Sequence, residues 1–205
     1  MARKGSSGRW LQEHRKDEYV LQAQREGYRC RAVYKLLELL ERDPMIRRGQ
    51  RVLDLGAAPG GWCQVASKLL GEKGEIVAVD LLEMEPIEGV TFIQGDFRED
   101  EVLKQILSSL KGKADLVMSD MAPNISGIRS VDQSRCMYLA ELALDCAGQV
   151  LVPGGSYVTK LFHGEGFDSY VKNARSMFQQ VKVKKPKASR SRSRETYMVA
   201  RGYEV

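Results

Sequence analysis

A glycine-rich turn and an aspartate further along the chain are the first residues whose types and spacing suggest chemistry. The turn lies in residues 54–62 (DLGAAPGGW). Its glycines, Gly56, Gly60 and Gly61, let the backbone bend sharply and approach a ligand closely. Asp80 ends the next apolar run, 24 residues after Gly56, where nucleotide-binding folds place a carboxylate that binds ribose hydroxyls. This spacing predicts a site for an adenine nucleoside.

A second carboxylate, Asp96, follows a further apolar run within residues 94–97 (QGDF). It is positioned to accept a hydrogen bond from an adenine amino group, and we include Phe97 in the same site. A dehydrogenase shares a glycine turn and a distant acid, but its spacing is Gly-x-Gly-x-x-Gly, whereas this chain has Gly-x-x-x-Gly-Gly. Pro59 also removes a backbone donor that a pyrophosphate would use. We therefore predict S-adenosylmethionine as the cofactor, with NAD as the alternative.

The elements that must position these residues alternate between apolar runs and stretches with helical spacing. We predict strands over 51–55, 75–79, 90–93, 114–119, 156–162, 181–183 and 196–200. We predict helices over 17–42 with a break at Gly27, and over 99–110, 132–151 and 167–178. This order indicates an α/β, Rossmann-like fold with a mostly parallel seven-stranded sheet and helices on both faces. Such folds bind ligands beyond the carboxyl ends of the strands.

Charge is distributed unevenly along the 205 residues, whose net charge is +5. Residues 1–35 carry nine Lys and Arg against four acids, and residues 169–194 carry nine and no acid, whereas residues 36–168 have a net charge of −8. Basic ends indicate a polyanionic partner such as nucleic acid. We expect one domain, divided into a basic arm (1–16), an N-terminal helical segment (17–48) and a Rossmann-like core (49–205).

Several classes of protein are disfavoured by composition. The longest apolar runs fall short of the roughly 20 residues that cross a bilayer, and no apolar stretch follows the basic N-terminus as in a signal peptide. The four cysteines form no Cys-x-x-Cys pair and only two histidines are present, which disfavours a zinc site or a disulfide framework. We expect a cytoplasmic monomer that needs no metal.

Seven segments resemble the FtsJ-type family of ribosomal RNA large-subunit 2′-O-methyltransferases, and they occur in the family's order along nearly the whole chain. They are residues 7–14 (SGRWLQEH), 54–62 (DLGAAPGGW), 94–98 (QGDFR), 119–127 (SDMAPNISG), 137–144 (MYLAELAL), 164–168 (GEGFD) and 189–197 (SRSRSRETY). The resemblance implies a class I methyltransferase that uses S-adenosylmethionine. It also implies a uridine ribose in the peptidyl-transferase region of 23S ribosomal RNA as the acceptor.

The resemblance further implies the site residues. The implied catalytic set is Lys35, Asp120, Lys160 and Glu195, and the implied cofactor contacts are Gly60, Trp62, Asp80, Asp96 and Asp120. A ribose hydroxyl is a poor nucleophile while protonated, and a well-placed general base contributes roughly 10²–10⁴-fold. We assign Lys160, at the end of the fifth strand, as this base. Asp120 and Glu195 would orient the amine, and Lys35 would orient groups or stabilise charge.

Other features bear on the acceptor and on alternatives. Residues 120–123 (DMAP) lack the Pro-Pro-aromatic sequence typical of enzymes that methylate base amines, which favours a ribose oxygen. The predicted RNA contacts are Arg29, Arg31, Lys182, Lys184, Arg190, Arg192 and Arg194. A transfer RNA or messenger RNA cap 2′-O-methyltransferase and a non-catalytic ribosome assembly factor remain alternatives. For Asp54 we favour a role in orienting the glycine turn by hydrogen bonding, without ligand contact. A packing role at a helix start remains an alternative for Trp62.

Overall fold

The computed structural model describes residues 17–204, so the predicted basic arm at 1–16 lies outside the described residues. Within that range the strands are β1 (Arg51–Leu55), β2 (Glu75–Asp80), β3 (Val90–Gln94), β4 (Ala114–Ser119), β5 (Leu151–Phe162), β6 (Phe178–Lys184) and β7 (Glu195–Tyr203). The helices are α1 (Glu18–Arg25), α2 (Val33–Arg42), α3 (Gly61–Leu70), α4 (Asp100–Ser109), α5 (Arg129–Val150) and α6 (Phe167–Met177).

The seven strands form one sheet in the order β3-β2-β1-β4-β5-β7-β6. The pairs among β1 to β5 are parallel, and β7 runs antiparallel between β5 and β6. The structure therefore confirms the predicted mostly parallel, seven-stranded sheet. Because β7 is reversed, its first residues lie at the same edge of the sheet as the carboxyl end of β5.

Helices cover both faces of the sheet. On one face α4, α5 and α6 pack against alternate strand residues such as Leu53 and Leu55, and on the other α2 and α3 pack against residues such as Val52. These side chains of β1 are fully buried, and burying one such aliphatic side chain contributes about 1.5–3 kcal/mol. Burial on both faces explains why β1 is an almost uninterrupted apolar run in the sequence.

Several predicted boundaries differ from those observed. The predicted break at Gly27 is confirmed, because Gly27 lies between α1 and α2 with a left-handed φ of +73°, but the interruption is longer than expected and extends over 26–32. The fifth strand begins at Leu151 rather than 156, because Leu151 pairs with Ala114 before the register shifts along β4. The sixth strand begins at Phe178, where the backbone has left the helical region.

Asp54 on β1 is a buried carboxylate beneath the glycine-rich turn. It is 1% exposed and accepts a hydrogen bond from Cys63 Sγ at 3.1 Å. Burial raises the pKa of Asp54 from its ordinary value of 3.8 to about 7, although the thiol bond opposes this. Asp54 is absent from the walls of the cavity described below, in keeping with a role in supporting the turn.

The raised pKa of Asp54 makes stability depend on pH. The folded chain retains a proton that the unfolded chain releases, so stability is lost as the pH rises from about 4 through about 7. We expect Asp54→Asn to remove this loss, and to be more stable than the wild type at pH 8 by up to roughly 4 kcal/mol. Urea unfolding of both proteins at pH 5 and pH 8 measures their free energies of unfolding. An equal stability difference between the two proteins at both pH values would contradict the prediction.

Candidate active site

The carboxyl ends of the parallel strands surround a cavity of about 340 Å³. Five predicted site residues line it, and each lies at or just after the carboxyl end of one of the strands β1 to β4. They are Gly56, Asp80, Asp96, Phe97 and Asp120. Its volume lies in the range of about 300–1,000 Å³ that small-molecule and cofactor sites occupy. The topology thus brings together residues that are up to 64 positions apart in the sequence.

Gly56 forms the bend that opens this cavity. Its φ is +72°, and a Cβ placed there would lie 2.2 Å from Met121 Cγ. Its N–H donates to the carbonyl of Val79 at 2.8 Å, which fixes the turn to the neighbouring strand. A side chain at position 56 would therefore both strain the backbone and displace Met121.

Asp80 is held rigidly at the end of β2. Its Oδ2 accepts from the Ala58 N–H and its Oδ1 from the Leu82 N–H, each at 2.9 Å. Each carboxylate oxygen has a further lone pair, so Asp80 can still accept bonds from a vicinal diol. Leu81 and Leu82, both largely exposed, add an apolar wall to the cavity.

Asp96 is paired with Arg98, which also lines the cavity. The Arg98 Nε lies 2.8 and 2.9 Å from the two Asp96 oxygens, and its backbone N–H donates to Oδ1 at 3.0 Å. The side-chain bond from Arg98 lowers the pKa of Asp96. Sequence reasoning did not assign Arg98. The signal was a cation two residues after the aspartate, within reach of the same turn.

Gly60, Gly61 and Trp62 lie outside the walls of the cavity. A Cβ at Gly60 would meet the side chains of Ile87 and Met84, and one at Gly61 would lie 2.5 Å from Cys30 Sγ. Trp62 is 3% exposed and its Nε1 donates to the carbonyl of Ala32 at 2.9 Å. The structure gives these residues packing partners at the start of α3, and cofactor contact at these positions stays a prediction.

The four residues of the implied catalytic set form two adjacent ion pairs at the edge of the cavity. Lys160 Nζ lies 3.2 Å from Asp120 Oδ1 and donates to the Asp120 carbonyl at 2.5 Å. Lys35 Nζ lies 2.8 Å from Glu195 Oε1. The Lys160 side chain is only 7% exposed. From the sequence we placed Lys160 at the end of the fifth strand. In the structure it lies two residues before the last residue of β5.

Tyr197 lies between the two ion pairs and was not assigned from the sequence. It is opposite Lys160 in the β5–β7 register and donates its hydroxyl to Asp120 Oδ1 at 2.5 Å. Lys35 Nζ is 5.6 Å from the centre of its ring, a cation–π contact. Residues two apart on a strand share a face, so the position of Tyr197 relative to Glu195 was the available signal.

The surrounding charges keep Asp120 ionised and Tyr197 neutral. Burial would raise the pKa of Asp120, but the ammonium groups of Lys160 and Lys35 and the Tyr197 hydroxyl hold it below its ordinary value. Burial and then the charge of Asp120 raise the pKa of Tyr197 well above its ordinary value. Tyr197 is therefore a permanent donor to Asp120, which in turn binds the amine of Lys160.

Two predicted RNA contacts near the N-terminus, Arg29 and Arg31, have partners within the chain, and RNA contact at these positions stays a prediction. Arg29 donates to the carbonyls of Pro59 and Pro86 at 3.1 and 2.8 Å. Arg31 is paired with Asp17 and also donates to the carbonyl of Ala188. These guanidinium groups join segments that are distant in the sequence.

Three predicted RNA contacts from the second basic segment are also paired within the chain. Lys182 Nζ lies 3.1 Å from Asp43, and Lys184 contacts the same buried carboxylate. Arg190 lies 3.5 Å from Asp17. The sequence showed a basic segment free of acids, but folding brings acids from the N-terminal segment against it. Arg192 and Arg194 line a second cavity.

The fold and this site define a Rossmann-like methyltransferase. The chain belongs to the FtsJ-like methyltransferase family, whose model matches residues 28–203. A protein named ribosomal RNA large subunit methyltransferase E from Marinobacter nauticus is 59% identical over the full length of both chains. The protein of that name from Pseudomonas aeruginosa is 58% identical over 99% of both.

A solved structure supports the same family. A ribosomal RNA methyltransferase from Plasmodium falciparum superposes with a TM-score of 0.74 at 32% identity, covering 86% of this chain and 98% of its own. Across residues 17–204 of the present chain, no helix is long and apolar enough to cross a membrane. The same residues contain no group of three or more His, Cys, Asp or Glu side chains arranged to hold a metal ion.

We expect Tyr197→Phe to slow methyl transfer roughly tenfold, because a hydrogen bond to a charged group contributes about 1.5–3 kcal/mol. Without the hydroxyl, the Asp120 carboxylate that contacts Lys160 loses a fixed donor. Tyr203→Phe is the matched control, since Tyr203 lies on the same strand and donates to the Gly148 carbonyl at 2.8 Å, away from the site. Equal rates for the two variants in a single-turnover assay would contradict a role for Tyr197.

Proposed function

We propose that this chain transfers a methyl group from S-adenosylmethionine to a ribose 2′-hydroxyl of large-subunit ribosomal RNA, with Lys160 as the general base. One observation carries the proposal: the amine of Lys160 is bound to Asp120, and Asp120 also lines the cavity at the glycine turn. A base and a nucleoside-sized cavity therefore share one residue. The names of the relatives support RNA as the acceptor.

The residues of the cavity fit S-adenosylmethionine better than NAD. Asp80 has free lone pairs for ribose hydroxyls, and Asp96 can accept a bond from the adenine amino group. Asp120 adds a third carboxylate, while the single cation of the wall, Arg98, is already paired with Asp96. An acidic cavity favours a cationic sulfonium and disfavours a pyrophosphate. When bound, the cofactor supplies an electrophilic methyl group.

Lys160 would act on the acceptor oxygen. Because Asp120 binds it as an ammonium, Lys160 would first release a proton to solvent. Its neutral amine would then take the proton of the 2′-hydroxyl and leave an oxygen able to accept the methyl group that the cofactor would supply. Asp120 holds the amine through its carbonyl and its carboxylate, and it stabilises the ammonium that forms. Holding the reacting groups at roughly 3 Å supplies much of the remaining acceleration.

Lys35 and Glu195 would position the ribose rather than exchange its proton. Their ion pair lies beside the Lys160–Asp120 pair, and Ser189 Oγ donates to Glu195 Oε1 at 2.7 Å. The second bond fixes the carboxylate of Glu195, and with it the Lys35 ammonium. A fixed ammonium near the acceptor can bind a ribose oxygen or a neighbouring phosphate.

The finer substrate assignment rests on resemblance and on the names of the relatives. We propose a uridine in the peptidyl-transferase region of 23S ribosomal RNA as the acceptor, methylated in the cytoplasm by a monomer. Arg192 and Arg194 would contact phosphates beside the site, and such contacts contribute affinity more than sequence preference. Specificity would then come from the shape of the RNA or of the ribosomal particle.

We expect Lys160→Ala to lose roughly 10²–10⁴-fold in rate with little change in cofactor affinity, because Lys160 lies outside the walls of the nucleoside cavity. Lys172→Ala, which removes an exposed lysine of α6, is the matched control. Transfer of a labelled methyl group to large subunits, free ribosomal RNA and transfer RNA measures both rate and substrate, and mass spectrometry of the product locates the methyl. Full activity of Lys160→Ala, or labelling of transfer RNA alone, would refute the proposal.

A further inference from the structure

A second, smaller cavity of about 210 Å³ lies beside the two ion pairs. Its apolar walls are Ile125, Cys136 and Phe162, and Arg129, Arg192 and Arg194 contribute cationic side chains. Four parts of the chain meet there: the segment after β4, the first turns of α5, the end of β5 and the segment before β7. Three of these parts adjoin a proposed catalytic residue: Asp120 follows β4, Lys160 is on β5 and Glu195 begins β7.

The position of this cavity relative to Lys160 follows from the strand geometry. Phe162 is two residues after Lys160 on β5, so both side chains are on one face of the sheet, about 6.6 Å apart along the strand. In the register with β7, Phe162 is opposite Glu195, and Arg194 immediately precedes Glu195. The cavity therefore lies beyond Lys160 along β5.

Helix α5 borders both the smaller cavity and the nucleoside cavity. Cys136, on its earlier turns, lines the smaller cavity, whereas Leu139 and Leu142, further along the helix, line the nucleoside cavity. Residues three or four apart on a helix are neighbours on one face. The two cavities therefore lie side by side along α5, and Asp120 lines the nucleoside cavity.

The walls of the smaller cavity are held in place by internal hydrogen bonds. The carboxylate of Asp132, which also lines it, accepts from the N–H and hydroxyl of Ser126 at 2.7 Å each and from the Gly127 N–H at 3.0 Å. Those bonds lower the pKa of Asp132 and use its charge to fix the segment that carries Ile125. Gln133 donates to the carbonyls of Phe162 and Glu165 at 3.1 and 3.0 Å, which fixes the end of β5.

We propose that this cavity binds the base of the nucleotide whose ribose is methylated. The proposal rests on the proposed function, because it assumes a ribose acceptor at Lys160. A base joined to that ribose would reach the ring of Phe162, with the 63%-exposed Ile125 beside it. A volume below about 300 Å³ suits one base rather than a larger ligand.

The chemistry of the walls favours a base over other occupants. Bases stack on aromatic side chains regardless of their identity, and arginines at the rim bind the phosphates on either side. RNA that is read in this way presents an unpaired base turned out of its helix. The enzyme would therefore bind the acceptor nucleotide by both its sugar and its base.

The experiment combines a protein change with an RNA change. Phe162→Ala and Ile125→Ala are each assayed with the natural substrate of the wild-type enzyme and with the same RNA made abasic at the acceptor nucleotide. Val183→Ala, at a 37%-exposed aliphatic residue of the distant strand β6, is the control. Phe162→Tyr keeps the ring and serves as the rescue variant. Thermal unfolding and cofactor affinity report whether each variant is folded.

We expect removal of the base to lower kcat/KM of the wild type roughly 10- to 100-fold. On natural RNA, Phe162→Ala should lower kcat/KM by about as much as removal of the base does for the wild type. For this variant, removing the base as well should lower kcat/KM little further, because both changes remove the same contact. Ile125→Ala should show a smaller loss of the same kind, and Phe162→Tyr should retain most activity. Cofactor affinity should be unchanged throughout.

Two results would overturn the inference. The first is a wild-type enzyme that methylates abasic and natural RNA equally well. The second is a kcat/KM of Phe162→Ala on abasic RNA that is lowered by the product of the two separate losses, since the two changes would then act independently. A wild-type enzyme that methylates no RNA would instead refute the proposed function, and the inference with it.

Discussion

The ion pair between Lys160 and Asp120 is the interaction on which the candidate site depends. Removing two charges from water costs several kcal/mol per ion, and the fold must compensate that cost with further bonds. The Asp120 carbonyl, the Tyr197 hydroxyl and the adjacent Lys35 supply them. Deleting either partner would leave an uncompensated charge, which typically costs 3–5 kcal/mol.

The topology of the sheet places this pair where a cofactor can be reached. Strands β4 and β5 are parallel neighbours, so Asp120, just after β4, lies beside Lys160 near the end of β5. The reversed strand β7 begins at that same edge, and it contributes Glu195 and Tyr197. The antiparallel strand β7 thus adds the carboxylate of Glu195 and the phenol of Tyr197 to the site. The five parallel strands alone would not supply these groups.

Much of the fold could be predicted from the sequence because its strands are apolar runs bounded by glycine or polar residues. The predicted limits of the first and fourth strands, 51–55 and 114–119, agree with the structure. The early start of β5 was missed, because it depends on pairing with Ala114 rather than on local sequence. Most residues of the nucleoside cavity could be predicted from the sequence because each lies at or just after the end of a strand. Parallel strands bring these positions to the same edge of the sheet.

The remaining site features depend on tertiary pairing, which the sequence does not display. Tyr197 is next to Lys160 only because of the β5–β7 register. The basic segments were predicted to contact RNA, and Asp17 and Asp43 pair with part of them from positions far away in the sequence. Arg192 and Arg194 lie next to the smaller cavity.

A crystal structure of the complex with S-adenosylhomocysteine would show whether the sulfur of the cofactor faces Lys160. We expect a nucleoside between Asp80 and Asp96, with the sulfur directed toward the amine of Lys160. The gap between sulfur and amine should admit one ribose oxygen, placed roughly 3 Å from a transferable methyl group. A nucleoside bound elsewhere, or a sulfur directed away from Lys160 and Asp120, would contradict this expectation.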